Sequence, residues 1–287
     1  MEAKRHATAG LKKPVIFIST SEMVERGLQG ATYARHTTLF LKASSIVSFL
    51  VVWSLASTMV TAYRFFNPVF VPSPWTVFGR LLDMVLARSL EVHVAATLER
   101  VGVGFAIAAL LAVSLGMLAG RRHWVRSLLE PVVEIFRPIP PLAMLPLFIV
   151  WVGIGEVSKV AFITYATFFP MFLTTTHAVL HVDPILLRAA ASLGASQAQQ
   201  FFRVILPAAF PEILTGLRLG VALGFFVIVI SEFIGAEHGL GYLINDGRNF
   251  FLVPQMLGAA VVLGILGYAC NALLRLVERR LLRWQQL

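Results

Sequence analysis

Cysteine is nearly absent: Cys270 is the single one, which excludes an internal disulfide and any cysteine-based metal site. Charge is scarce too, at 14% of residues. A phosphate-cradling loop needs glycine, then lysine, then serine or threonine. None of Lys4, Lys12, Lys13, Lys42 or Lys159 follows a glycine, so the chain has no nucleotide loop of its own and any ATP has to be handled by a partner. The amino-terminal stretch lacks a signal-peptide core: its apolar run is 15–18 only, against the roughly 7 to 15 residues such a core uses. Nothing is expected to be cleaved, and 1–42 is expected to remain a cytoplasmic arm. Enzymatic constellations are missing. His93, His123, His177, His181 and His238 are scattered, and the His177–His181 pair, four residues apart, has no carboxylate-rich motif around it. That pair reads as a polar helix end, with a metal site as the less favoured alternative.

What the chain has is hydrophobicity. A hydrophobic content of 57% with a mean hydropathy of +0.79 places it outside soluble norms and predicts an all-α polytopic membrane protein. A helix needs about 20 apolar residues to cross the hydrocarbon. Spans are expected at 43–63, 101–119, 139–154, 157–175, 213–234 and 253–276, forming one transmembrane domain over 43–287. Between the first two, 65–74 reads as an interfacial stretch and 75–90 as an amphipathic helix on the outer surface. The third span holds Pro140, Pro141 and Pro146, so its cytoplasmic end should be kinked or unwound, which is tolerated only where protein or a water path covers it. With the amino terminus inside, only Arg64, Arg80, Arg88, Lys159 and Arg248 fall on the outer side. The remaining lysines and arginines, Arg100 and Arg218 within the spans apart, fall inside. That bias predicts both termini in the cytoplasm and also accounts for the net charge of +9.

One polar interruption stands out, over 187–207. It is too polar to span a bilayer. Small and apolar residues suit a first short helix, Gly194 supplies the turn that ends it, and Ser196 caps a second helix. Pro207 and Pro211 are expected to close that second helix, since proline removes a donor and clashes with the preceding turn.

This stretch resembles the cytoplasmic signature of the inner-membrane permease subunits of bacterial ATP-driven (ABC) importers, which reads Glu-Ala-Ala, three residues, Gly, nine residues, Ile-x-Leu-Pro. Ala189, Ala190, Gly194, Leu206 and Pro207 stand at the matching offsets, with Val204 in the isoleucine position. Arg188 departs from the pattern, standing where the family has glutamate. The wording around it, Leu193 to Ser196, Phe202 to Ala209 and Gly216-Leu217-Arg218, is similar to the branch that imports nitrate, sulfonates, taurine or bicarbonate. The resemblance covers about 72–284. It implies a type I importer (MetI-like) fold of six spans, with Arg188, Ala189, Ala190, Gly194, Ala195, Ser196, Phe201, Leu206 and Pro207 in a coupling loop that docks on a separate ATPase. It further implies two copies of that ATP- and Mg-binding subunit, a second and identical permease, an external binding protein that is periplasmic or lipid-anchored, and an inner-membrane location. Arg188 then needs an acidic partner on the ATPase or simply faces water.

Three further features remain open on the residues alone. Gly216, Gly220 and Gly224 recur every four residues on the fifth span, where missing side chains allow close approach; the face is either generic helix packing or the centre of a homodimer and wall of the translocation path. For Glu232, just before Gly235, Gly239 and Gly241, the resemblance implies a role at the outer gate or the binding-protein surface, against simple interfacial anchoring. Arg100 and Arg218 are candidates to pair with carboxylates, reach headgroups or attract an anion. A gradient-driven transporter or channel is the alternative class; it would carry ionisable residues deep in several spans and broken helices near mid-membrane.

Overall fold

The computed structural model describes residues 20–64 and 67–282, so the start of the amino-terminal arm lies outside the described residues. The chain divides into two compact units at Thr58/Met59. The first unit's described part is one helix, α1 (Thr20–Tyr63), which runs on past the boundary; its 43–63 portion is long and apolar enough to cross a membrane. The helix therefore starts well before the expected span and takes in the second half of the polar arm.

The second unit opens with a short 3₁₀ turn, Pro68–Phe70. The helices α2 (Pro74–Leu86), α3 (Ser89–Arg121), α4 (His123–Phe136), α5 (Pro141–Val152) and α6 (Glu156–Leu180) follow. After them come α7 (Pro184–Ser192), α8 (Gln197–Gln200), α9 (Leu206–Glu232), α10 (Leu240–Asn249) and α11 (Val253–Leu281). Among the described residues, five helices are long and apolar enough to span, or six if the α4–α5 pair is one broken span. That pair bends by 99° across Arg137 to Pro140. α5 is 12 residues long, about 18 Å, short of the roughly 30 Å hydrocarbon core. The prolines thus break the third span, as the sequence reading expects, and at the end foreseen.

The core is organised around α6. On α3, Gly104, Ala108, Ala112, Gly116 and Gly120 fall every four residues and form a ridge of small residues against it. A Cβ at Gly104 would lie 2.8 Å from Ile163 Cγ2, and one at Gly120 2.6 Å from Val179 Cβ. The second ridge is the glycine row of α9. A Cβ at Gly220 would meet Met171 Sδ at 2.7 Å, and one at Gly224 lies 3.6 Å from Thr167. Between the two ridges Phe162, Ile163, Met171 and Phe172 are buried. In a bilayer, apolar burial no longer drives association, so close packing of small ridges supplies the cohesion. The row at Gly216, Gly220 and Gly224 thus makes its close approaches inside the chain, to Thr174 and Met171 of α6 and, at Gly224, to Val101 of α3 and Thr167 of α6, which is helix packing within one subunit.

The amphipathic helix expected at 75–90 is α2. Ser73 caps it by accepting from Thr76 N at 3.2 Å, and Pro74 sits at its first turn, where its missing N–H costs nothing. It rests on α11, where Leu81 lies against Gly258.

Candidate functional site

Two sites lie at opposite ends of α9, 26 residues or about 39 Å apart.

The first is the hairpin of α7 and α8. Gly194 adopts φ +79°, and the backbone closes around it: Ala195 N donates to Ala190 O at 3.0 Å and Gly194 N to Ala191 O at 2.9 Å. This double bond pattern is the Schellman end of a helix, which favours glycine at that position. Ser196 then starts α8 with a reciprocal cap. Its Oγ accepts from Gln199 N at 3.3 Å, and its own N donates to Gln199 Oε1 at 2.8 Å. Both turns are thus fixed by hydrogen bonds, and the loop between the helices is short and rigid.

The residues of the expected coupling loop separate into two sets. Phe201 and Leu206 pack inward with Ile205 on Val179, Val182, Ala209 and Ile213, seating the hairpin on the end of α6. Arg188, Ala189, Gly194 and Ser196 are exposed, Ala190 and Ala195 partly so. Leu193, which the sequence reading passed over, is 88% exposed at the tip, and a Cβ at Gly194 would meet nothing within 4 Å. Pro207 does not close the second helix. A π turn, Phe201–Ile205, widens the spiral just ahead of it, and Leu206 N reaches back to Phe201 O. Pro207 then occupies the first turn of α9, where no amide donor is required. The helix runs on through Pro211 from Gln197 to Glu232.

The second site is a buried charge cluster. Glu232 is 1% exposed and every acceptor face of its carboxylate is used. Arg100 Nη1 donates at 2.7 Å, Thr97 Oγ1 at 2.9 and 3.1 Å, and Gly241 N at 2.7 Å. Arg100, itself 6% exposed, is equally occupied. Its Nε and Nη2 donate to Glu156 at 2.5 and 2.8 Å, and Nη1 also donates to His238 O at 2.6 Å. Lys159, 3% exposed, donates to Glu156 Oε1 at 3.0 Å and to Gly235 O at 3.1 Å. Thr97 accepts from Leu240 N at 2.8 Å, and His93 Nδ1 from Gly239 N at 3.0 Å.

One arginine and one lysine meet two carboxylates, so the charges balance, and every nitrogen of the Arg100 guanidinium is engaged. Arg100 is therefore not free to attract an anion. The cluster ties α3, α6 and α9 together and wraps the loop after α9 around them. Gly239, at φ +136°, and Gly241 make that wrap possible. A Cβ on Gly239 would press on the Glu232 carboxylate, and one on Gly241 would lie 2.9 Å from Glu232 Cβ.

Glu156 and Lys159 were missed as partners, and Lys159, counted as an outer-side cation, is an interior residue of this cluster. Arg218 does not join it. Its Nη1 pairs with Glu278 at 3.0 Å and its Nη2 donates to Thr215 Oγ1 at 3.1 Å, linking α9 to α11 nearer the hairpin. His177 and His181 stack with ring centroids 3.7 Å apart, and His177 Nδ1 lies 3.0 Å from Glu212 Oε1. Among the described residues no group of three or more histidine, cysteine or acidic side chains is arranged to hold a metal.

Known proteins resemble this chain in sequence and fold. Residues 112–284 match the model of the binding-protein-dependent transport system inner membrane component family. The taurine transport system permease protein of Escherichia coli (strain K12) is 36% identical over 249 residues, 85% of this chain and 89% of the relative. The nitrate import permease protein of Synechocystis sp. (strain ATCC 27184 / PCC 6803 / Kazusa) is 30% identical over 217 residues, covering 72% and 79%. Among solved structures, a chain of the inward-facing MetNI methionine ABC transporter superposes with a TM-score of 0.56 at 22% identity. It covers 67% of this chain and 95% of that one, and it shows the shared MetI-like fold. In such importers ATP is hydrolysed by separate subunits and solute is brought by a binding protein, which sets the gradient-driven alternative aside. With its apolar spans, exposed hairpin and matched family model, the chain belongs to the binding-protein-dependent transport inner-membrane components and is a multi-pass translocation subunit of an ABC importer.

Proposed function

We propose that this chain works as one of two identical permease subunits importing a small solute that carries an oxyanion group, of the taurine or nitrate kind. Two ATPase subunits, which hold the ATP and Mg, dock on the α7–α8 hairpins in the cytoplasm, where both termini also lie. The binding protein, periplasmic or lipid-anchored, delivers solute at the opposite end. The lysine and arginine distribution supports that orientation, and the names of the relatives support the solute class.

The observation that carries the reading is the hairpin tip. Leu193 stands 88% exposed on a polar loop outside the bilayer, where an apolar side chain has no lipid to face. Both flanking turns are locked, so a force applied there moves the seat on α6 and α9 as a body. Closure of the ATPase pair would drive the hairpins together and switch the bundle from outward- to inward-facing by rigid-body motion.

Leu193→Glu tests this. The variant is expected to insert and fold as the parent does, yet to lose co-purification with the ATPase and ATP-dependent uptake in proteoliposomes. Undiminished uptake would sink the docking role. Gly194→Trp is a poorer test, because φ +79° strains any side chain regardless of its bulk.

A further inference from the structure

A groove of about 700 Å³ runs between α9 and α11. Leu219, Phe226 and Ala260 make one part of it apolar, and Gly264 leaves it open, since a Cβ there would meet nothing within 4 Å. Toward the hairpin end its character changes. Tyr268, Asn271 and Arg275 follow each other at helical spacing on α11, facing Thr215 and Arg218 on α9.

The charge balance in this polar part is uneven. Arg218 is held by Glu278 at 3.0 Å. The Arg275 guanidinium lies over the Tyr268 ring at 5.5 Å, and among the described residues no carboxylate forms an ion pair with it. Two guanidinium groups thus share one carboxylate, and one positive charge is left over. Arg275 is exposed on this wall, at the edge of the roughly 30 Å hydrocarbon core, where its unpaired charge is open to water or a charged solute. Donors outnumber acceptors in its free hydrogen-bonding capacity: a planar guanidinium fork, an amide NH₂ and a phenol O–H stand beside the Asn271 amide oxygen and the phenol's own lone pairs. Such a set fits a sulfonate, carboxylate or nitrate group, whose oxygens a guanidinium engages in pairs. The contrast with the cluster around Arg100 is direct, since there all three guanidinium nitrogens are already engaged by Glu156, Glu232 and the His238 carbonyl.

We propose that Arg275, with Asn271 and Tyr268, forms an oxyanion-binding station on the solute's path, in the groove between α9 and α11. Arg275 lies 22 residues, about 33 Å, beyond the start of α11, so the station is met late in import, near the cytoplasmic mouth. This rests on the orientation and solute class proposed above.

The test is import of taurine and, separately, of nitrate by the complete importer in proteoliposomes at saturating binding protein. Parent, Arg275→Ala, Arg275→Lys and Asn271→Asp chains are compared, with copy number read by native mass spectrometry. Arg275→Ala is expected to slow import about tenfold or more, in line with loss of a hydrogen bond to a charged group. Lysine should restore only part of the rate, because it keeps the charge but not the paired, ring-stacked donors of the guanidinium. Asn271→Asp, which sets a like charge against the anion, should also slow it. Unchanged import by Arg275→Ala, with the parent active, would overturn the station and leave the proposed function standing. Release of the second copy by Arg275→Ala would also overturn it, making the groove an interface between permeases. Import of neither probe by the parent would defeat the proposed solute class, and the station with it.

Discussion

At one end of α9 the chain buries its charges, and at the other it exposes its apolar side chains. Glu232 sits at 1% exposure among three donors from two other segments, whereas Leu193 at the hairpin tip is 88% exposed, with nothing among the described residues to cover it. The charged end is closed on itself: its charges balance and every carboxylate oxygen is hydrogen-bonded. The hairpin end is internally rigid but unfinished on its outer face. The difference separates what holds the subunit together from what is left for a partner.

Breaking the closed end should have the largest effect on folding. Glu232→Ala strands Arg100, Thr97 and Gly241 N without their acceptor, and removing one partner of a buried ion pair costs about 3–5 kcal/mol. A strong loss of folded protein in detergent and a lower melting temperature are expected. A melting point equal to the parent's would show that the cluster is not what ties α3, α6 and α9. Gly220→Leu should come next, because its side chain would have to displace Met171, and overpacking costs about 1–3 kcal/mol. If this face serves only packing against α6, the copy number of the protein that does fold should stay unchanged in native mass spectrometry; a lost second copy would instead make it a contact between permeases.

Changes at the open end should leave the melting temperature close to the parent's and register in transport. Leu193→Glu is expected to abolish coupling with little change in melting, which is the sharpest contrast with Glu232→Ala. Arg188→Ala should have the smallest effect of all. The residue is exposed, and a rim charge is worth about 0.2–1 kcal/mol. Measured affinity for the ATPase should fall no more than about fivefold; a larger loss would mean that the arginine has found a buried acidic partner.

How much of this was legible in the chain follows from the range of the interactions. The hairpin could be read because its signals are local: Gly194 and Ser196 act on neighbours within five residues. The broken third span could be read from its prolines for the same reason. Pro207 misled, because the rule that proline ends a helix assumes a regular spiral. The π turn at Phe201–Ile205 supplies the extra room that lets the helix continue. The row at Gly216, Gly220 and Gly224 announced a close approach without saying to what. A parallel row at Gly104, Ala108, Ala112, Gly116 and Gly120 carried the same four-residue period and could have been found by it.

The charge cluster lay beyond such reading. Arg100 meets Glu156 at a separation of 56 residues and Glu232 at 132, and no periodicity links those positions. Hydropathy, lysine and arginine bias, and short-range turn chemistry determined from the sequence alone that this chain spans a membrane and carries an ordered polar hairpin. Which charges cancel, which glycines touch α6 and which arginine is left over were decided only by the tertiary structure. A buried charge is stable only beside the partner that packing delivers to it, and that partner comes from a distant part of the chain.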